Sequence, residues 1–493
     1  MLGDSTGSRH SALSGRWVHL VGTVSLLLTT CVLAACTAPE PVAFPEGPAN
    51  TVSTEPADTI GPLRFEGTRM LDAEGREVQI HGINMVRKSA PFHVSPDEAG
   101  FDDNIARIRD AGFNAVRLGV WTASLMPSPG VIDQAYLDEV QRGVEALTAE
   151  NLWVLLDFHQ DVFTGLPEWA TTPAAAALSD TLPGLESFWA LAYFTPRSMR
   201  QWEDLYARVD LGGGANAVDL MGDGVAAVAQ RFAGNPNVIG IDLLNEPWPG
   251  EAFLDCVAAN CAGRYNQLQS IYEDYTAKVE AVAPDMLVWW TPFNWGPPFQ
   301  NNTPPTDDDV ALTYHSYCLG TDGGEPVQPP PAEYTLCGAL YDGQTTDALA
   351  LSRRWDTPVI LGEFGASASP LNSTRLTTLA DENRLSWMYW DDNYYRQAPE
   401  EVRTDLVRAY PQATAGEVTH QSFDPATGLF EMTYIPDHDI AATSTIVVPR
   451  EAYPDGYDVA ITDGQVTSDP DSGRLSIAAG AGADEVTVTV SRR

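Results

Sequence analysis

Positive charge is scarce in this sequence. Lysine and arginine number 28 in 493 residues, against 67 aspartate and glutamate residues, which gives a formal net charge of −39. The basic residues include only two lysines, Lys88 and Lys278. So large an acidic excess argues against binding nucleic acid or anionic lipid through general electrostatic attraction. It is typical of a strongly solvated extracellular surface, and we expect no nucleic-acid partner.

A long apolar run is also lacking at the N-terminus. The run VGTVSLLLTTCVLAAC is too short and too quickly broken for a spanning helix, and Arg9 and Arg16 precede it. This pattern predicts an export signal over residues 1–36. Its ending, LAAC, resembles the bacterial lipobox, which implies cleavage before Cys36 and a lipid on that cysteine. A plain signal peptide cut after an alanine is the alternative.

The segment after the signal predicts a tether. Residues 37–60 are rich in Pro, Thr and Glu and show no apolar period. We therefore expect an exported protein, either a cell-surface lipoprotein held at the membrane by a lipid anchor or a secreted protein. We expect it to be a monomer.

Cysteines are few. Cys31 leaves with the signal and Cys36 is assigned to lipid, so four remain. Four cysteines in an exported chain suggest two disulfides, with three possible connectivities. We favour local pairing among them: Cys256 with Cys261, and Cys318 with Cys337. No cysteine or histidine spacing indicates a metal site, and no cofactor is expected.

Residues 61–412 alternate between short apolar runs and longer amphipathic stretches, within a chain whose 44% hydrophobic content can form a sizeable core. The apolar runs are IHGINMV, AVRLGV, WVLLDFHQ, VIGIDLLNEP, LVWWTPF, ALTYHSY, PVILGEFG and LSWMYWDD. Continuous apolar strands separated by helices indicate a parallel sheet covered by helices. Eight of them predict an α/β fold of the (β/α)8 TIM-barrel type, although a doubly wound sheet would look similar strand by strand. Residues 413–493 alternate at period two between turn residues, which predicts a small antiparallel β-sandwich.

Polar side chains fall where these strands end. They are Arg117, Asp157, His159, Asp161, Asn245, Glu246, His315, Tyr317, Glu363 and Trp390. Active sites of such barrels lie at the carboxyl ends of the strands. Glu246 and Glu363, after the fourth and seventh strands, can share acetal hydrolysis as proton donor and nucleophile. A structural ion pair is the alternative for either one alone.

The motifs LLNEP and GEFG resemble those of glycoside hydrolase family 5 of clan A, whose members are retaining enzymes. The resemblance implies that Glu246 is the general acid/base and Glu363 the nucleophile. Arg117 with Tyr317 would keep Glu363 ionised, and the charge of Glu363 with partial burial would raise the pKa of Glu246. His159, Asn245, His315 and Trp390 also match positions of the family. Asn245 is expected to hold the sugar 2-hydroxyl, and Trp390 is expected to pack against a sugar ring, with a place in the core as the alternative.

Short motifs outside LLNEP and GEFG are similar to those of endoglycoceramidases, the family 5 enzymes that release intact glycan from ceramide. These motifs are RKSAP, LLDFHQDVFTG, PEWAT and YPQATAG. The resemblance implies a glycosphingolipid substrate and first-sugar contacts from Lys88, Asp157, Asp161 and Trp169. An aglycone wall is expected from apolar residues after the fourth and fifth strands, namely Trp248, Pro249, Phe253, Phe293, Trp295 and Phe299.

Two segments depart from the family pattern, the loop around 171–215 and the stretch DDNYYRQAPE after Trp390, so the preferred glycan stays open. The alternatives are an enzyme for galactose-first glycolipids, a glucosylceramidase-like enzyme, a β-glucanase and a non-catalytic glycolipid-binding lipoprotein.

Overall fold

The computed structural model describes residues 60–183, 189–258, 261–293, 303–318, 331–367 and 369–493. The predicted signal, the lipidation site Cys36 and residues 37–59 of the predicted tether lie outside these residues, as do Trp295 and Phe299. The last residue of the predicted tether, Ile60, is buried in the apolar core at the amino end of the barrel. Within the described part of the chain, none of the helices has the length and hydropathy needed to cross a membrane.

The strands, in chain order, are β1 (Arg64–Glu66), β2 (Arg69–Leu71), β3 (Glu77–Val78), β4 (His81–Met85), β5 (Ala115–Trp121), β6 (Trp153–His159), β7 (Asp210–Gly212), β8 (Ala215–Asn216), β9 (Val238–Asp242), β10 (Val288–Trp290), β11 (Val310–Ser316), β12 (Val359–Gly365), β13 (Ser386–Trp390), β14 (Tyr410–Thr414), β15 (Gly416–Asp424), β16 (Leu429–Pro436), β17 (Ser444–Val447), β18 (Tyr457–Thr462), β19 (Gly464–Val466), β20 (Arg474–Ala479) and β21 (Val486–Arg492). The α-helices are α1 (Phe101–Asp110), α2 (Thr122–Leu125), α3 (Gln134–Ala149), α4 (Pro173–Ala176), α5 (Pro196–Tyr206), α6 (Ala217–Phe232), α7 (Phe253–Ala258), α8 (Ala262–Glu280), α9 (Pro331–Trp355), α10 (Pro370–Asn383), α11 (Asp392–Gln397) and α12 (Glu400–Leu406).

Eight parallel strands close into the predicted barrel. In chain order they are β4, β5, β6, β9, β10, β11, β12 and β13, and β13 pairs with β4 to complete the ring. The predicted fold class is thus confirmed. Along β5 and β6 the residues change from apolar at the amino end, Ala115 and Trp153, to charged toward the carboxyl end, Arg117 and Asp157. The apolar end forms a compact core within the barrel, so polar chemistry is confined to the opposite end.

Two antiparallel sheets form the C-terminal sandwich, one in the order β15-β16-β21-β18 and the other in the order β1-β2-β3-β14-β17-β20-β19. The second sheet contains strands from residues 64–78, because β3 pairs with β14 through Val78 and Ala413. This differs from the predicted division at residue 412, since hydrogen bonding recruits a segment far away in sequence. Tyr410 stacks on His81 at the amino end of β4, the barrel end opposite the carboxyl rim.

Candidate active site

Arg117 is the electrostatic centre of the carboxyl rim. It projects from β5, is fully buried, and donates to Glu363 Oε1 at 2.6 Å, Asp157 Oδ1 at 2.8 Å and Asp242 Oδ2 at 2.6 Å. A buried charge is costly unless it is paired and hydrogen-bonded. Although burial alone would lower its pKa, these three carboxylates raise it, so the guanidinium stays charged. The arrangement holds three strands in a fixed position around one cation.

Glu363 lies on β12 with two donors aimed at its carboxylate. Arg117 reaches Oε1, and the Tyr317 hydroxyl donates to Oε2 at 3.1 Å. Burial raises the pKa of Glu363 above its usual value, and the positive charge of Arg117 opposes that rise. The preceding residue must be glycine, because a Cβ at Gly362 would lie 2.1 Å from Thr313 Oγ1. The geometry gives Glu363 the contacts expected of an ionised carboxylate.

Glu246 lies in the loop directly after β9, in a different environment. Its backbone turns into the left-handed region, with φ of 37°, directly before Pro247. His315 Nδ1 lies 2.8 Å from Oε1, and the Tyr193 hydroxyl donates to Oε2 at 3.2 Å. Burial, and after it the negative charge of Asp161, raises the pKa of Glu246 to about 7. The predicted direction is therefore found, and Asp161 adds a negative charge that the sequence analysis did not foresee, beside the mutual repulsion of Glu246 and Glu363.

The two glutamates face each other across His315. An oxygen of each carboxylate and a ring nitrogen of His315 lie within 4.8 Å of one another. His315 is placed beside Glu363 by the register of β11 with β12. Burial lowers the pKa of His315 to about 4, so the ring is neutral at neutral pH. Carboxylates this close match the separation of about 5 Å found in retaining glycosidases, which leaves no room for an interposed water.

His159 and Asp157 form a second buried pair on β6. Asp157 Oδ2 lies 2.7 Å from His159 Nδ1, while its other oxygen accepts from Arg117. Burial would lower the pKa of His159, but the charge of Asp157 raises it to about 9, so the imidazole is protonated. Asp157 is fully buried, and both of its carboxylate oxygens are engaged by protein groups. The structure therefore leaves no surface of Asp157 open to a sugar, in contrast to the predicted sugar contact.

Lys88, Asp161 and Trp390 line the solvent-facing part of the site. Lys88 Nζ lies 2.7 Å from Asp161 Oδ2 and 4.4 Å from the centroid of the Trp390 ring. Trp390 is only 7% exposed and stacks on His159 at 5.3 Å, so little of its face is open. The side chains of Lys88 and Asp161 are 43% and 26% exposed, which leaves both available to a ligand.

The remaining predicted ligands are less open. Asn245 is buried, accepts from Arg117 at 2.9 Å, and donates to the carbonyl of Gln160 at 3.0 Å. Trp169 is half-buried, and its indole N–H donates to the carbonyl of Met126 at 2.7 Å. Neither contact shows a sugar-binding role, and both predictions stay predictions.

Possible metal-ligand atoms also come together at this rim. In the described residues, Asp157, His159 and Glu363 bring three possible metal-ligand atoms together, as do Glu246, His315 and Glu363. However, a ligating histidine must be neutral, and His159 is protonated. Glu363, which belongs to both groups, already neutralises Arg117.

Two family descriptions match the sequence. Residues 71–396 match Cellulase (glycosyl hydrolase family 5), and residues 408–490 match the glycoside hydrolase family 5 C-terminal domain. The chain belongs to glycoside hydrolase family 5. It is therefore an enzyme, a retaining glycoside hydrolase.

Relatives within family 5 are similar over most of their length. The chain is 35% identical over 454 residues to endoglycoceramidase I of Rhodococcus hoagii (strain 103S), covering 89% of both chains. A solved lactosyl-enzyme intermediate of endo-glycoceramidase II from Rhodococcus sp. has a TM-score of 0.70 and 26% identity, covering 88% of this chain and 100% of that one. The ganglioside GM3 complex of the same enzyme has a TM-score of 0.71 and 25% identity, covering 87% and 100%.

Three residues that the sequence analysis missed contact the central residues of the site. Asp242 and Asn84 both contact Arg117, and Tyr193 contacts Glu246. Asp242 and Asn84 left a signal, because each is a polar residue inside an otherwise apolar strand. Tyr193 left none, since it lies in a segment without a family motif.

Four of the six residues expected to form the aglycone wall belong to the described part of the chain. Trp248 and Pro249 are buried and pack into the core, and Phe253 is half-buried. Phe293 is also buried, but it lines a cavity together with Glu246 and His315. Trp248 stacks on Phe253 at 4.6 Å, which satisfies its apolar surface internally.

Exposed apolar side chains occur instead beside the two disulfides. Cys256 is joined to Cys261 and Cys318 to Cys337, as favoured from the sequence. Next to the first bond, on α7, Leu254 is 43% and Val257 is 59% exposed. Next to the second, on α9, Leu336 is 69% and Leu340 is 40% exposed.

Proposed function

We propose that this enzyme hydrolyses the β-glycosidic bond between the oligosaccharide and the ceramide of glycosphingolipids, releasing the intact glycan. Glu363 is the nucleophile and Glu246 the general acid/base. The observation that carries these roles is the unequal environment of two adjacent carboxylates. Arg117 contacts Glu363 directly, whereas Glu246 contacts a neutral histidine and a phenol.

The reaction proceeds by double displacement. Glu363 attacks the anomeric carbon while Glu246 protonates the leaving oxygen of ceramide, so a glycosyl ester forms on Glu363 and Glu246 becomes ionised. Glu246 then removes a proton from water, which attacks the same carbon and releases the sugar with retained configuration. A pKa of about 7 suits a group that must both donate and accept a proton near neutral pH.

The substrate class rests on two independent supports. The first is similarity over most of the chain to enzymes named endoglycoceramidases, one of which is solved with a ganglioside. The second is the exposure of Leu254 and Val257 on α7, the helix that follows Glu246 along the chain. Because a ceramide aglycone leaves on the side of the acid/base, exposed apolar side chains on the helix that follows Glu246 favour a lipid over a second sugar.

A product analysis by mass spectrometry tests the proposal. The protein without its signal is incubated separately with a ganglioside, lactosylceramide, a galactose-first glycolipid and cellohexaose. Intact oligosaccharide with free ceramide is the expected result, and the preferred lipid fixes the subclass. Shortened glucan or single sugars would overturn the ceramide assignment and leave the retaining mechanism standing.

Azide distinguishes the roles of the two glutamates. With Glu246→Ala, azide should attack the glycosyl ester and give the β-glycosyl azide, with retained configuration. With Glu363→Ala, activity on natural substrate should be lost, and azide should give the inverted α-product from an activated substrate. The opposite pattern would show that the two roles are exchanged.

We also propose that the enzyme is exported and tethered to a membrane through Cys36. The support is the lipobox-like LAAC followed by a tether rich in Pro, Thr and Glu. Metabolic labelling with an alkynyl fatty acid should mark the full-length chain and not Cys36→Ala, and equal labelling of both would refute the anchor.

A further inference from the structure

Tyr193 places a fully buried phenol against the acid/base. It belongs to the 3₁₀ turn Trp189–Phe194, in the connection between β6 and β9. Its hydroxyl donates to Glu246 Oε2 at 3.2 Å and also has a backbone hydrogen bond with Val162. Because His315 is on Oε1, each oxygen of Glu246 has its own neighbour. The carboxylate plane is thereby fixed from two sides.

Packing holds the phenol in that position. The Tyr193 ring lies 4.9 Å from Trp248, and Phe194 meets the same indole edge-on at 5.1 Å. The helix that follows, α5, is joined to α8 by the ion pair between Glu203 and Arg264. A side chain fixed by aromatic packing and a helix loses little entropy when it makes a hydrogen bond.

We propose that Tyr193 is a positioning residue that orients Glu246 for proton transfer and stabilises the carboxylate formed when the proton leaves. The inference rests on the proposed role of Glu246. Burial keeps the pKa of Tyr193 well above its usual value, so the phenol stays a donor throughout the cycle. Its hydrogen bond strengthens as negative charge develops on Glu246, which lowers the barrier to protonating a poor leaving group.

The dependence on leaving group separates this role from a merely structural one. Protonation matters for a ceramide alkoxide and little for dinitrophenolate, which departs without help. Tyr193→Phe should therefore lower kcat/KM by about 10- to 100-fold on lactosylceramide, as expected for losing a hydrogen bond to a charged group. On 2,4-dinitrophenyl lactoside the first step should be nearly unchanged. The alkaline limb of the pH profile should move upward, because the lost donor favoured the ionised form of Glu246.

Tyr136→Phe is the matched control. Tyr136 is also a buried tyrosine whose hydroxyl donates at 2.9 Å and accepts from a backbone N–H, but its partners are Phe92 and Trp121. Tyr136→Phe should change kcat/KM equally for both substrates and should not move the alkaline limb of the pH profile. Equal losses on both substrates for Tyr193→Phe, or no loss on lactosylceramide, would overturn the inference. Glu246→Ala is run alongside, and if it too shows no leaving-group dependence, the proposed function itself fails.

Discussion

Replacing Glu246 by glutamine should stabilise the folded enzyme in a pH-dependent way while removing its acid catalyst. Burial and the charge of Asp161 raise the pKa of Glu246 from 4.5 to about 7. Between these two values the folded protein keeps a proton that the unfolded chain has released. The free energy of unfolding therefore falls as the pH rises through this window and stops falling above about pH 7. Glutamine is neutral throughout and has no such loss.

The size of the effect follows from the shift. One pKa unit corresponds to about 1.4 kcal/mol, so the rise at Glu246 corresponds to about 3 kcal/mol. We expect Glu246→Gln to match the parent enzyme near pH 4.5 and to exceed its stability by that amount at pH 8. For a chain of this length the difference corresponds to a rise in Tm of roughly 3 to 6 °C.

Thermal unfolding of both proteins from pH 5 to pH 8 measures the effect, with Glu251→Gln as control. Glu251 is exposed and close in sequence, so its replacement removes the same charge without removing a buried one. The Tm difference should grow with pH for Glu246→Gln and stay flat for Glu251→Gln. A constant difference for Glu246→Gln across this range would refute the reasoning that burial holds Glu246 protonated.

Three further predictions concern the same rim. The charge of Asp161 raises the pKa of Glu246, and the charge of Lys88 lowers it. Asp161→Asn should therefore move the alkaline limb of the kcat/KM profile to lower pH, and Lys88→Met should move it to higher pH. Shifts of both variants in the same direction would contradict this. Arg117→Met removes the cation from three buried carboxylates and leaves Asp157 with His159 alone. It should cost about 3–5 kcal/mol and most soluble expression, unlike Arg109→Met at an exposed ion pair. Replacing Leu254 and Val257 together by serine should weaken cleavage of glycolipid in vesicles, measured as released glycan, with no change on a water-soluble aryl lactoside; equal loss on both would show that the patch is structural.

Much of the fold could be predicted because parallel strands leave a strong periodic signal. The eight apolar runs correspond to the eight barrel strands, and the polar residues at their ends meet on one rim. The strands of residues 64–78 were missed, because they are short and gain their place only by pairing with β14 and with each other. Local sequence does not record a partner more than 300 residues away.

The site shows the same division. The LLNEP and GEFG motifs placed Glu246 and Glu363 at one end of the barrel, because Glu246 follows β9, Glu363 lies near the carboxyl end of β12, and all barrel strands run in the same direction. What surrounds them depends on the folded chain. Asp161 adds a negative charge beside Glu246, Asp157 is enclosed by Arg117 and His159, and Trp248 is buried in an aromatic cluster.

By itself, the sequence determined the barrel, the end of the barrel where chemistry occurs, and the two carboxylates that perform it. These follow from strand periodicity and chain direction, which are local properties. Only the tertiary structure decided the protonation of those carboxylates and the contact of Tyr193 with Glu246. A pKa depends on burial and on charges that distant segments bring within a few ångströms, and neither is encoded in the spacing of residues along the chain.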